Sequence, residues 1–150
     1  MIDAGEDRLK HTTNYADTFI CIAEDSTAGT GTPPPEKADN PSIASRTYRM
    51  ISEHPYRYTS DDVVFTVHAD RKQIPEAERE DARAAFFSKG QPCLRASDLG
   101  KKYGWGIHAD AEGRVALFGV ETEEYERLAS GVSDDGQPLA LTRAMRSSRR

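Results

Sequence analysis

Hydrophobic positions fall in short runs along this chain, separated by glycine, proline and acidic residues. Asp17-Thr-Phe-Ile-Cys-Ile-Ala23 is rich in β-branched and aromatic residues and predicts a strand. Residues 24–40 follow, a stretch carrying Pro33, Pro34 and Pro35 that favours extended polyproline geometry and predicts a long loop. Asn40-Pro41 supplies an N-cap and a first-turn proline for a helix placing Ala44, Tyr48, Met50 and Ile51 on one side. That helix must end by His54, because Pro55 disfavours helical geometry in the residue before it.

Between Asp62 and Asp70 the pattern has period two. Val63, Phe65, Val67 and Ala69 take one face and Val64, Thr66 and His68 the other, which predicts a second strand. Ile74-Pro75 opens another helix with a stripe of Ala82, Ala85 and Phe86 and a stop at Gly90. Residues 91–104 read as irregular, with one helical turn capped by Ser97. Trp105–His108 and Arg114–Val120 read as two strands of a hairpin, joined by a type I turn with a left-handed Gly113. Thr122 caps a short helix with Tyr125 and Leu128 inward and Gly131 as its end, and Leu139–Met145 predicts a last strand. The sum is an α+β fold: one domain with an antiparallel or mixed sheet of four to five strands, packed by about three helices. Residues 1–14 read as a mobile lead-in and residues 146–150 as a basic tail.

Length and charge narrow the classes. The 150 residues suit one domain, and a net charge of −5 gives no global drive toward nucleic acid or anionic membrane. No apolar run reaches the length of a membrane span. The first residues are acidic rather than apolar, and Cys21 and Cys93 are too few for a disulfide framework, so the expected compartment is the cytoplasm.

Several stretches carry a resemblance. Asn14-Tyr-Ala-Asp-Thr-Phe-Ile20, His54-Pro-Tyr-Arg-Tyr-Thr-Ser-Asp-Asp-Val-Val-Phe65 and Phe86-Phe-Ser-Lys-Gly-Gln-Pro-Cys-Leu-Arg-Ala-Ser97 are three of them. Lys102-Tyr-Gly-Trp-Gly-Ile-His-Ala-Asp-Ala-Glu-Gly113 and Ala144-Met-Arg-Ser147 complete the set. Together, over roughly residues 12–147, the chain resembles a family of small bacterial proteins known as a domain of unknown function. The resemblance implies a bacterial, single-domain protein and brings no activity or catalytic residue with it.

The densest candidate chemistry lies in residues 89–108. Lys89, Arg95, Lys101 and Lys102 stand against Asp98 alone, Tyr103 and Trp105 lie among them, and Gly100, Gly104 and Gly106 allow close backbone approach. Such a segment suits a small anionic ligand or a protein partner, with Arg95, Lys101 and Lys102 supplying charge and Tyr103 or Trp105 a stacking surface. Alternatively, Tyr103, Trp105 and Ile107 form one buried strand face and the lysines are solvated.

Two other patterns bear on catalysis. Cys93 is a candidate nucleophile if Arg95, a helix N-terminus or His108 lowers its pKa, against the plainer reading of a small buried side chain. His68-Ala-Asp70 and His108-Ala-Asp110 repeat the same tripeptide at two predicted strand ends. If those strands are neighbours, the two histidines and two carboxylates could meet on a zinc, manganese or iron ion. Against that, His-Ala-Asp is a natural exit from a strand, and Asp110 is expected to serve the hairpin turn.

The acidic starts of the helices near Glu76 and Glu123 read as solvated faces. Glycine-rich cofactor loops, nucleophile elbows and paired CxxC motifs do not occur, so no cofactor is predicted. The leading expectation is a non-enzymatic binding module working through residues 89–108. A small enzyme using Cys93 or His108, single-stranded nucleic-acid binding, and a homodimer formed along an exposed sheet edge stand beside it.

Overall fold

Four strands form one sheet: β1 (Thr18–Cys21), β2 (Trp105–Ala109), β3 (Val115–Gly119) and β4 (Ala140–Arg143). They belong to a computed structural model that describes residues 11–37 and 39–148. The strand order is β3-β2-β1-β4. β2 pairs antiparallel with both β1 and β3, while β4 pairs parallel with β1, so the sheet is mixed. The helices among the described residues are α1 (Ile43–Glu53), α2 (Ser60–Arg71), α3 (Arg79–Phe86), α4 (Asp98–Lys101) and α5 (Glu123–Ala129). The arrangement is a single α+β domain, with two more helices than expected. None of the described helices is long and apolar enough to cross a membrane.

Strand alternation loads the two faces differently. Ile20, Ile107, Ala109 and Val115 join Ile51 of α1, Val63 and Val67 of α2 and Leu94 in one core cluster. Phe19 and Cys21 pack on the opposite side with Tyr125 and Leu128 of α5 and with Leu139. Each fully buried side chain of this kind contributes about 1.5–3 kcal/mol.

The hairpin forms as the sequence predicts. The Gly113 amide donates to the Asp110 carbonyl at 3.0 Å, with Gly113 at φ +82°. The Asp110 carboxylate accepts the amides of Glu112 and Arg114, each at 2.9 Å. Ser97 and Thr122 cap α4 and α5. Helix α1 starts later than expected, with Ser42 rather than Asn40 as its cap.

The predicted strand at 62–70 is instead helix α2. Its period-two pattern arises from burial on two sides. Val63 and Val67, one turn apart, enter the core against the sheet, whereas Phe65 and Ala69, also one turn apart, enter a separate cluster with Phe87. Two interleaved i,i+4 pairs mimic alternation. A capping box starts the helix: Thr59 Oγ1 accepts the Asp62 amide at 3.1 Å and Asp62 accepts the Thr59 amide at 3.0 Å. In the next helix the expected stripe is also shifted, for Ala85 is exposed and Phe87, just past α3, is the buried residue.

The irregular segments are tied to this frame. Residues 1–10 of the expected lead-in lie outside the described residues. Buried Thr13 bonds to Ser60 and Asp61 at the start of α2, and the Asp61 amide donates to the Asn14 side chain. The proline-rich loop is fastened to β2 and to Glu121 through Thr32 and Gly31. Of the basic tail, whose last two residues are not described, Arg146 pairs with Glu24 at 3.2 Å.

Candidate functional site

His108 sits on β2 facing away from Ile107 and Ala109, with Phe19 and Ala116 as its register partners. Ala116 carries only a methyl group, which leaves room for a ring from beyond the sheet edge. That ring is Tyr56. Its amide donates to the Val115 carbonyl, and the Val115 amide donates to the Tyr58 carbonyl, both at 2.9 Å. Residues 56–58 thus pair along the edge of β3, and Tyr56 takes φ +60°, a left-handed conformation uncommon for an aromatic residue. The Tyr56 hydroxyl lies 2.7 Å from His108 Nδ1, with the rings edge-on.

Burial sets the protonation of this pair. It pushes the Tyr56 hydroxyl up to about 12, helped by Asp134 and Asp110 and opposed by Arg127. It also pushes the His108 imidazole below its ordinary value, with Arg127 acting the same way, against the pull of Asp110, Asp134 and Asp17. Both groups are neutral at pH 7. Since Tyr56 occupies Nδ1, Nε2 is the nitrogen left for a ligand.

His108 and Tyr56 line a cleft of about 730 Å³ whose charged lining is wholly acidic: Asp17, Asp110, Glu112, Asp134 and Asp135. Asp110 is engaged by the turn, and Glu112 lies 3.6 Å from Arg114. Asp134 pairs with Arg127, whose Nε is buried without a partner among the described residues. The Ser133 hydroxyl holds the Asp135 carboxyl below the usual carboxylate range. Asp17 enters the cleft from a backbone at φ +49°. Carboxylates around a neutral imidazole attract cations and offer acceptors to N–H donors.

The segment at 89–108 is largely engaged with its own chain. Arg95 Nε donates to the Arg143 carbonyl at 2.6 Å, and Trp105 Nε1 to the Thr32 carbonyl at 2.8 Å. The Trp105 ring lies 5.5 Å from that of Tyr48. Lys102 is 4.0 Å from Asp98, exposed, while Lys101 and Tyr103 are half-buried. The three glycines approach protein rather than open space: Gly100 abuts Ala144, Gly104 the Thr30 carbonyl, and Gly106 the Phe19 and Tyr125 rings.

Cys93 and His108 line different cavities. Cys93 is half-buried, and the Tyr15 hydroxyl lies 3.5 Å from its sulfur. Burial, then that thiol, raises the Tyr15 pKa. The two His-Ala-Asp triplets do not converge either. His68 lies on helix α2 and stacks on Phe86 at 4.5 Å, and Asp70 pairs with Arg79 at 3.0 Å. Residues two apart on a helix point in different directions, so the strand geometry on which a shared metal site rests is absent. Among the described residues, no group of three or more His, Cys, Asp or Glu side chains is placed to hold a metal ion.

Tyr56, Asp17, Asp134 and Asp135 do not stand out in the sequence. Asp134-Asp-Gly136 carries a turn signal that hides its place on the cleft rim, and nothing local links Tyr56 to His108. No curated protein and no solved structure matches the chain. A model described as "Family of unknown function (DUF6157)" matches residues 10–150, and it is to this family that the chain belongs.

Proposed function

We propose that the protein is a binding module whose acidic cleft takes a small cationic, amine-bearing ligand. The observation that carries this reading is the buried, neutral His108, fixed at Nδ1 by Tyr56, in a cleft whose charged lining residues are all carboxylates. Either tautomer satisfies the Tyr56–His108 contact. A ligand ammonium selects the one in which Nδ1–H donates to the Tyr56 oxygen and the Nε2 lone pair accepts from the ligand. Asp17 and Asp135 supply charge, and Tyr56 supplies an aromatic ring on which a cation can rest. Cytoplasmic residence fits this reading and is supported by Cys21 and Cys93 as unpaired thiols.

Calorimetric titration with short diamines, and with dicarboxylates as controls, tests it. Saturable diamine binding is expected, weakened by salt and by His108→Gln or Asp17→Asn. It is also expected to fall in acid, at a pH below the ordinary imidazole value, because burial holds the His108 pKa down and binding is lost only once that ring takes up a proton. Indifference to His108→Gln, or a preference for the dicarboxylate, would refute the assignment.

A further inference from the structure

We propose that the groove bounded by α1, α2, Phe86 and residues 91–97 binds a small amphiphile, an apolar chain or ring ending in a single carboxylate. The groove encloses about 390 Å³, within the roughly 300–1,000 Å³ of small-molecule sites, and shares no lining residue with the acidic cleft. Its walls are mostly apolar, with Val64, Val67, Phe86 and Leu94 inside and Ile43, 55% exposed, at the surface.

Charge complementarity names the head group. Arg71 is the one lining residue with a full charge, no carboxylate lines the groove, and Arg71 makes no ion pair among the described residues. His68 adds no second charge to that of Arg71: burial, then Lys72 and Arg71, lower its pKa, so it is neutral at pH 7. An apolar tail is thereby offered a dry surface and a carboxylate a planar two-pronged donor. Residues 91–97 come from the segment expected from the sequence to hold an anion, but here they supply a wall and Arg71 supplies the charge.

Cys93 is a built-in reporter, because it lines this groove and is half-buried, whereas Cys21 is 8% exposed. The test is the rate of N-ethylmaleimide modification of each cysteine, read by peptide mass spectrometry, as decanoate is added below its micellar range. Decylamine, with the same tail and opposite charge, is the control. Decanoate should slow modification of Cys93 saturably, decylamine should not, and Arg71→Gln should raise the decanoate concentration needed by roughly tenfold or more. Arg71 is exposed on the last turn of α2, so that variant leaves the core intact. Absence of protection, equal protection by decylamine, or protection unchanged by Arg71→Gln would each overturn the proposal. So would a rise in Cys21 reactivity, which marks unfolding by the amphiphile rather than occupancy of the groove.

Discussion

His68-Ala-Asp70 and His108-Ala-Asp110 have the same three residues and two different structures. The first lies on helix α2, the second at the end of β2. Ala69 and Ala109 are both buried, so the shared centre of the triplet does the same work twice. The flanking residues do not. His68 meets a phenylalanine ring beside an apolar groove, and His108 meets a tyrosine hydroxyl inside an acidic cleft. Asp70 pairs with an arginine side chain, and Asp110 accepts two backbone amides. A side chain's role is set by what the fold brings to it from far along the chain, here Phe86 in one case and Tyr56 in the other.

The largest difference should appear at the Tyr56–His108 contact. Tyr56→Phe keeps the ring but leaves the buried Nδ1 without its partner, at a cost of about 1–3 kcal/mol in urea unfolding. His68→Leu exchanges one ring neighbour of Phe86 for another apolar group and should cost less than Tyr56→Phe. Equal losses at the two sites would abolish the distinction between them.

Acid sharpens the same contrast. Both imidazoles have native pKa values pushed down, first by burial. At about one pH unit or more above the ordinary imidazole value of about 6.5, each histidine is neutral whether folded or unfolded and adds no pH dependence. Below that, the unfolded chain takes up protons that the native state refuses, so stability falls with pH until the native pKa is passed. His108→Gln should flatten this limb more than His68→Gln, because His108 is 8% exposed and His68 only half-buried. Unfolding free energies measured at half-unit pH steps from 7.5 to 5 give the comparison directly.

A middle-sized effect belongs to the start of α2. Thr59→Ala removes one half of the capping box and should cost about 1 kcal/mol, detectable as a lower urea midpoint at unchanged slope. The same residue explains how much was legible in the sequence. Elements defined by local chemistry could be read: the Asp110–Gly113 turn, the Ser97 and Thr122 caps, the Gly131 stop. Helix α2 was not, because its apolar residues serve two clusters on different sides, and that arrangement depends on α1, α3 and the sheet. Thr59 and Asp62, spaced three apart, were the local signal that outweighs the false alternation. The parallel pairing of β4 with β1 joins strands more than a hundred residues apart, and no local pattern encodes it. The cleft was half legible. His108 and Asp110 are conspicuous in sequence, but Tyr56, Asp17 and Asp134 reach them only through the β3 edge, the start of β1 and the 133–136 turn.

The smallest effect separates the two aspartates. Asp70→Asn weakens a pair with Arg79 in which the aspartate side chain is 42% exposed and the arginine 24%. Solvent screens such a pair, and the change should stay within about 0.5 kcal/mol. Arg79 also retains a bond from its Nε to the Ile74 carbonyl at 2.9 Å, so its position does not depend on Asp70. Asp110→Ala, by contrast, leaves the amides of Glu112 and Arg114 without their shared acceptor at the turn that positions the cleft's rim. It should cost more than Asp70→Asn and should also shift the His108 titration downward, because the Asp110 charge holds that pKa up. Proton NMR of the two imidazoles in both variants decides the matter. A His108 titration unmoved by Asp110→Ala would mean that the carboxylate does not act on the imidazole, and the electrostatic account of the cleft would fail at the carboxylate that acts most strongly on His108.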